Sequence, residues 1–140
     1  MFKLHPQLEK DCIELGQFEL CTLLLMNDSS YPWFILVPER EDVSELYELS
    51  DEDQQLLQKE SNFLAMILKN YFYADKINIA ALGNVVPQLH IHHIARYKED
   101  RSWPAPVWGQ HEAVAYTEDE LNKMLDVINK AMDDTALIED

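Results

Sequence analysis

The stretch that decides the fold is Gln88-Leu89-His90-Ile91-His92-His93-Ile94-Ala95-Arg96, preceded by Pro87. It holds three of the chain's five histidines. Leu89, Ile91, Ile94 and Ala95 mark it as a β-strand, whose side chains alternate between two faces. On that reading Gln88, His90 and His92 share one face, and Leu89, Ile91 and His93 share the other. Same-face neighbours on a strand lie about 6.5–7 Å apart. A phosphate or a metal ion can touch two such polar side chains at once. Two imidazoles and an amide in a row point to chemistry rather than packing.

Outward from that strand, Lys76 to Leu82 alternates like a second strand with Asn78 inside it. Gly83-Asn84 gives a turn between the two. Further upstream, the apolar run ending at Met26 and the run Trp33 to Val37 form an antiparallel pair. They are joined by the turn cluster Asn27-Asp28-Ser29-Ser30, with Asn27 at the strand end where loops carry function. Glu39 to Leu49 reads as an acidic connector with a helical turn.

Ser50 followed by Asp53 is a helix start. Leu56, Glu60, Phe63, Leu64, Ile67, Leu68 and Tyr71 then line one face of a long helix. Thr117 with Glu120 is a capping box, and Leu121, Met124, Leu125, Ile128 and Met132 predict a second amphipathic helix. Leu4, Leu8, Cys12 and Leu15 recur at helical spacing with Gly16 as a stop, which predicts a short first helix. Residues 97–110 have no period and read as loop. Trp103 and Trp108 there either cover the core edge or wall a ligand site. Residues 134–140 are expected to form a flexible acidic tail on a single domain spanning 1–140.

The bulk numbers bound the function. A chain of 140 residues fits one domain with a real core. A net charge of −15 argues against a nucleic-acid partner, which needs Lys and Arg to neutralise phosphates. A small phosphorylated ligand stays open, because a few local donors suffice. No apolar run is long enough to span a bilayer, and the N-terminus lacks a signal peptide's apolar core, so no membrane partner and a cytoplasmic location are expected. Cys12 and Cys21 have neither zinc-finger nor redox spacing and read as buried apolar residues.

Imidazole serves as nucleophile, general acid or base, or metal ligand near neutral pH. His-x-His on a strand also suits a metal, but a firm site wants more ligands. His111 and Glu112 are the nearest candidates and show no metal spacing. No metal site is assigned.

The string as a whole resembles the histidine triad (HIT) family, whose motif is His-φ-His-φ-His-φ-φ with φ apolar. Gln88 takes the first histidine position, His90 the middle and His92 the last. The order of elements around the motif supports the resemblance, which looks closest to the bacterial diadenosine-tetraphosphate-hydrolase-like branch. It implies an α+β fold: an antiparallel sheet of about five strands, helices on one face, the ligand on the other, and a homodimer pairing across the sheet. It implies a nucleotide hydrolase or nucleotidyl transferase acting at the α-phosphate, with His90 as nucleophile and His92 at the phosphate. Asn27 is placed like a ribose contact, Asn78 like a residue near the phosphates, and Gln88 beside the substrate. No metal or other cofactor is required for the family's covalent step.

Two departures stand out. Gln88 can hydrogen-bond but cannot transfer a proton near neutral pH. A nucleotide-binding protein with little catalysis is therefore the alternative. His93 fills an apolar slot on the face opposite His90 and reads as a paired core or interface histidine. Arg96 is read as a partner for carboxylates more than for phosphate.

Overall fold

The computed structural model describes residues 1–139, with side chains described through Thr135. The element order is α1 (Pro6–Asp11), β1 (Cys12–Gln17), β2 (Cys21–Met26), β3 (Trp33–Pro38), α2 (Asp51–Asn70), β4 (Lys76–Ala80), β5 (Ile91–Arg96) and α3 (Glu118–Glu139). A single 3-10 turn, Leu46–Glu48, interrupts the acidic connector as expected.

The five strands form one antiparallel sheet in the order β1-β2-β3-β5-β4. The histidine strand β5 is interior, between β3 and β4. Helices α2 and α3 cover one face. Leu57, Leu64, Ile67 and Leu68 of α2, with Ile128 and Ala131 of α3, pack on Leu23, Leu25, Phe34, Leu36, Ile91 and Ala95 of the sheet. Burying these aliphatic and aromatic groups contributes roughly 1.5–3 kcal/mol for each large side chain.

Both long helices start where their caps predict. The Ser50 hydroxyl accepts from the Asp53 N–H at 3.1 Å. The Glu120 carboxylate accepts from Thr117 N–H at 2.9 Å while the Thr117 hydroxyl accepts from Glu120 N–H at 3.2 Å. Buried Glu60 fastens α2 to the sheet by accepting from the backbone N–H groups of Leu20 and Cys21 at 2.8 and 3.0 Å. That pairing satisfies a carboxylate that burial otherwise penalises.

The first helix departs from its sequence reading. It ends at Asp11, and Cys12 to Gln17 forms edge strand β1 instead. Leu4, Leu8 and Cys12 do share one apolar cluster, but Leu15 packs in the other, on the opposite side of the sheet. The spacing that looked helical runs across a sheet edge. Pairing with β2 wins because Ile13 and Leu15 reach the helix-side core only from a strand. Gly16 is not a helix stop; it sits at the register shift between Glu14 and Gly16.

The second departure concerns the histidine strand, which begins at Ile91 rather than Gln88. Gln88 to His90 is irregular backbone, fixed by a Leu89 N–H bond to the Val43 carbonyl at 3.0 Å. The expected tail falls partly within α3, described to Glu139; Asp140 lies outside the described residues.

Candidate active site

The sheet face away from α2 and α3 carries the candidate site. Leu8, Leu24, Trp33, Ile35, Val37, Ile94 and Val107 pave it. His90 and His92 lie on the same side with ring centroids 4.9 Å apart, edge to face. His90 is 7% exposed and His92 4%. Their partners decide what each ring can do.

His90 Nδ1 lies 2.8 Å from the Gln88 carbonyl oxygen. A carbonyl only accepts, so Nδ1 carries the proton and Nε2 carries the lone pair. Every buried side-chain nitrogen and oxygen among the described residues has a partner. His90 Nε2 has none there, so it is an atom that solvent reaches.

His92 is set the opposite way. Trp33 Nε1–H donates to His92 Nδ1 at 2.9 Å. Indole N–H is only a donor, so the neutral ring holds its own proton on Nε2. Burial, with the neighbouring His90 and His93 adding like charge, pushes the His92 pKa down to about 3. The ring is therefore neutral at physiological pH and offers an N–H. A lone pair on His90 thus stands beside a donor on His92.

His93, one residue on, faces the helices and is fully buried. Its Nδ1 donates to the Ile91 carbonyl at 3.0 Å, so its Nε2 accepts the Ser61 hydroxyl proton at 2.7 Å. Desolvation lowers its pKa to about 4, against the opposing pull of the Ile91 bond. Both nitrogens are used, as the sequence reading expects.

The two asparagines are oriented by their neighbours. Asn27 Oδ1 accepts from the Tyr116 N–H at 3.0 Å, and Asn78 Oδ1 accepts from Arg96 at 2.8 Å. Each keeps its NH2 group for another acceptor. Asn78 stands opposite Ile94, on the face of His92. Asn27 lines a cleft of about 380 Å³ with Met26, Trp33, Trp108, Lys10 and Asp11. Trp33 and Trp108 form its wall toward His92, at ring centroid distances of 5.7 and 5.2 Å.

Gln88 is placed differently from the motif's geometry. Its side chain does not continue the row of His90 and His92. Its Nε2 donates to the Lys3 carbonyl and its Oε1 accepts from the His5 N–H, both at 2.8 Å. Arg96, 2% exposed, spends its guanidinium on Asp100 through two bonds and on Asn78, Ser102 and the Ala105 carbonyl. It organises the loop after β5, with four of its five N–H groups engaged there and on Asn78.

Of the loop tryptophans, Trp108 walls the site, while Trp103 sits under the Arg96 guanidinium at 5.8 Å. Sequence reasoning missed Trp33, whose indole selects the His92 tautomer. Its only sequence signal is an aromatic at the start of a strand. His111 is held by Tyr31 at 2.7 Å and by the Glu112 carbonyl at 2.9 Å. Among the described residues no group of three or more His, Cys, Asp or Glu is placed to hold a metal. No described helix is long and apolar enough to cross a membrane.

An open antiparallel sheet of five strands with helices packed on it defines the class as α+β, and the comparisons give the family. The model of the HIT domain matches residues 7–99. This chain belongs to the histidine triad family. A histidine triad protein of Marinobacter aquaeolei VT8 is similar at 46% identity and a TM-score of 0.92, covering 96% of this chain and 98% of its own. One of Sinorhizobium meliloti 1021 shares 46% identity at a TM-score of 0.90, covering 93% and 96%. One of Bradyrhizobium japonicum shares 39% at 0.90, covering 93% and 97%. A comparison with curated proteins gives no match.

Proposed function

We propose that this protein is a nucleotide hydrolase or nucleotidyl transferase that acts at the α-phosphate of a nucleoside polyphosphate or phosphoramidate. The observation that carries the reading is His90 Nε2: an unpaired lone pair, reached by solvent, beside the N–H of His92. The Nε2 lone pair attacks the α-phosphorus, an N–P bond forms, and the bond to the leaving group breaks with its electron pair going to that group. The ring becomes cationic, and the Gln88 carbonyl stabilises it through Nδ1–H.

His92 Nε2–H donates to a non-bridging phosphate oxygen, where charge gathers. The NH2 group of Asn78 is a second donor on that face. Asn27 and the tryptophan-walled cleft hold the nucleoside. Water then attacks phosphorus, the N–P bond breaks, the lone pair returns to Nε2 and the water proton goes to solvent. A different acceptor in place of water gives transfer. No metal or cofactor enters these steps.

Gln88, whose carboxamide is bonded to Lys3 and His5, supplies no proton to the leaving group. That favours leaving groups that depart as stable anions, polyphosphates ahead of amines. It also supports the second reading, a nucleotide-binding protein with little turnover. Incubation with a labelled dinucleoside polyphosphate and with adenosine phosphoramidate separates the two. Turnover lost in His90→Ala supports the enzyme; tight binding with no turnover supports the binder; equal turnover in both proteins excludes His90 as nucleophile.

The protein is also proposed to be a homodimer. Strand β4 is a sheet edge, and its Ile79 and the nearby Leu82 are 52% and 49% exposed. Light scattering after size exclusion gives one chain mass if that proposal is wrong.

A further inference from the structure

The backbone from Ala81 to His90 contains no helix or strand, yet it carries the carbonyl that sets the His90 tautomer. Something must hold that carbonyl still. On the backbone side, Leu89 N–H is bonded to the Val43 carbonyl. On the side-chain side, the Gln88 carboxamide grips the N-terminal segment at Lys3 and His5. The two bonded groups flank Leu4, so the carboxamide takes the place that the N–H and C=O of one residue on a neighbouring parallel strand would fill.

This grip needs a donor and an acceptor side by side. A neutral amide has both; a carboxylate lacks the donor, and the two nitrogens of an imidazole point away from each other. The segment it grips is itself seated. Phe2 and Leu4 pack into the site-face cluster beside Leu8, and His5 caps α1 by accepting from Gln7 N–H at 3.0 Å. The terminal amine pairs with Glu41. A continuous set of contacts therefore runs from the apolar cluster through the strap to Gln88, and from its carbonyl to the nucleophile.

We infer that Gln88 is a positioning residue: its side chain clamps residues 1–5 as a strap, and the strap holds the turn that orients His90. Glutamine at the first motif position is on this account a mechanical substitution, exchanging a proton donor for a clamp. The inference rests on His90 being the nucleophile, as proposed above, and the test keeps the two separable.

Gln88→Leu removes both clamp bonds. Leu4→Asp unseats the strap while leaving Gln88 and His90 in place, and Leu4→Ala is a milder form should the first fold poorly by thermal melt. The readouts are steady-state kcat and KM, and the His90 tautomer by imidazole nitrogen NMR. Losing the two bonds is expected to lower kcat about tenfold with KM within about twofold. The double variant is expected to be no worse than Gln88→Leu alone, because both changes break one linkage. His90 is expected to move from a single Nδ1–H form to a mixture in each variant.

A Leu4→Asp or Leu4→Ala protein with wild-type kcat and tautomer, beside a slow Gln88→Leu, overturns the clamp and makes Gln88 a direct substrate contact. A Gln88→His variant faster than wild type overturns it as well. If the wild type turns over no nucleotide, the nucleophile proposal fails, and the tautomer alone decides the clamp: mixing in Gln88→Leu supports it, and an unchanged Nδ1–H form ends it.

Discussion

His92 and His93 are adjacent, both are buried, and burial depresses both, yet one faces the candidate active site and the other the helix layer. Burial and titration do not separate them. Hydrogen bonding does. His93 has a partner on each nitrogen, Ile91 and Ser61, and so is finished as a structural group. His92 has a partner only on Nδ1, and His90 likewise, so each leaves Nε2 for a ligand. Among three histidines this close together, the unspent nitrogen marks the candidate site.

That contrast is open to attack from both faces. The largest effect is expected on the site face, where His90→Ala removes the lone pair and lowers kcat/KM by roughly a thousandfold or more, read by nucleotide turnover. The fold should survive, as a matching melting curve will show.

On the helix face the prediction reverses. Ser61→Ala strips the donor from His93 Nε2 and leaves a buried acceptor unpaired, a loss of about 2 kcal/mol in urea unfolding. Turnover should stay at the wild-type level. A slowed Ser61→Ala enzyme of normal stability would show that the two faces are not independent.

Trp33→Phe keeps an aromatic ring but deletes the N–H that dictates the His92 tautomer. A fall in kcat of about tenfold is expected, the size of one lost hydrogen bond. An unchanged kcat would remove Trp33 from the account.

The smallest effect concerns pH and stability. His92 and His93 have folded pKa values pushed down to about 3 and about 4 from 6.5. Below about pH 6.5 the unfolded chain takes up protons that the folded chain refuses. Their contribution is therefore complete above that pH and declines as pH falls toward the folded values. Replacing one of them, as in His93→Leu, should flatten the loss of stability between pH 7 and 4.5.

Much of the fold is legible in the sequence because its signals are local. Ser50 and Thr117 announce their helices, and the alternation around Asn78 and Ile91 announces β4 and β5. β1 is not legible, because Leu4, Leu8, Cys12 and Leu15 imitate a helix stripe and only the pairing with β2 resolves them. The imidazoles of the site are legible from their spacing. Their tautomers are not, because these depend on register and on distant partners. Trp33 reaches His92 only because Trp33 and Ile35 lie on one face of β3 and Ile35 is paired with His92. Gln88 meets Lys3 across 85 residues of chain. Local pattern finds the candidate groups; tertiary contact sets which nitrogen of each is left free.

The central claim is that His90 Nε2 forms the bond to phosphorus. Rapid acid-free quenching of the protein during turnover of a dinucleoside polyphosphate, followed by peptide mass spectrometry, tests it directly. The account predicts one nucleoside monophosphate added per chain, on His90 and absent from His90→Ala. An adduct on His92, or sustained turnover by His90→Ala, would contradict it.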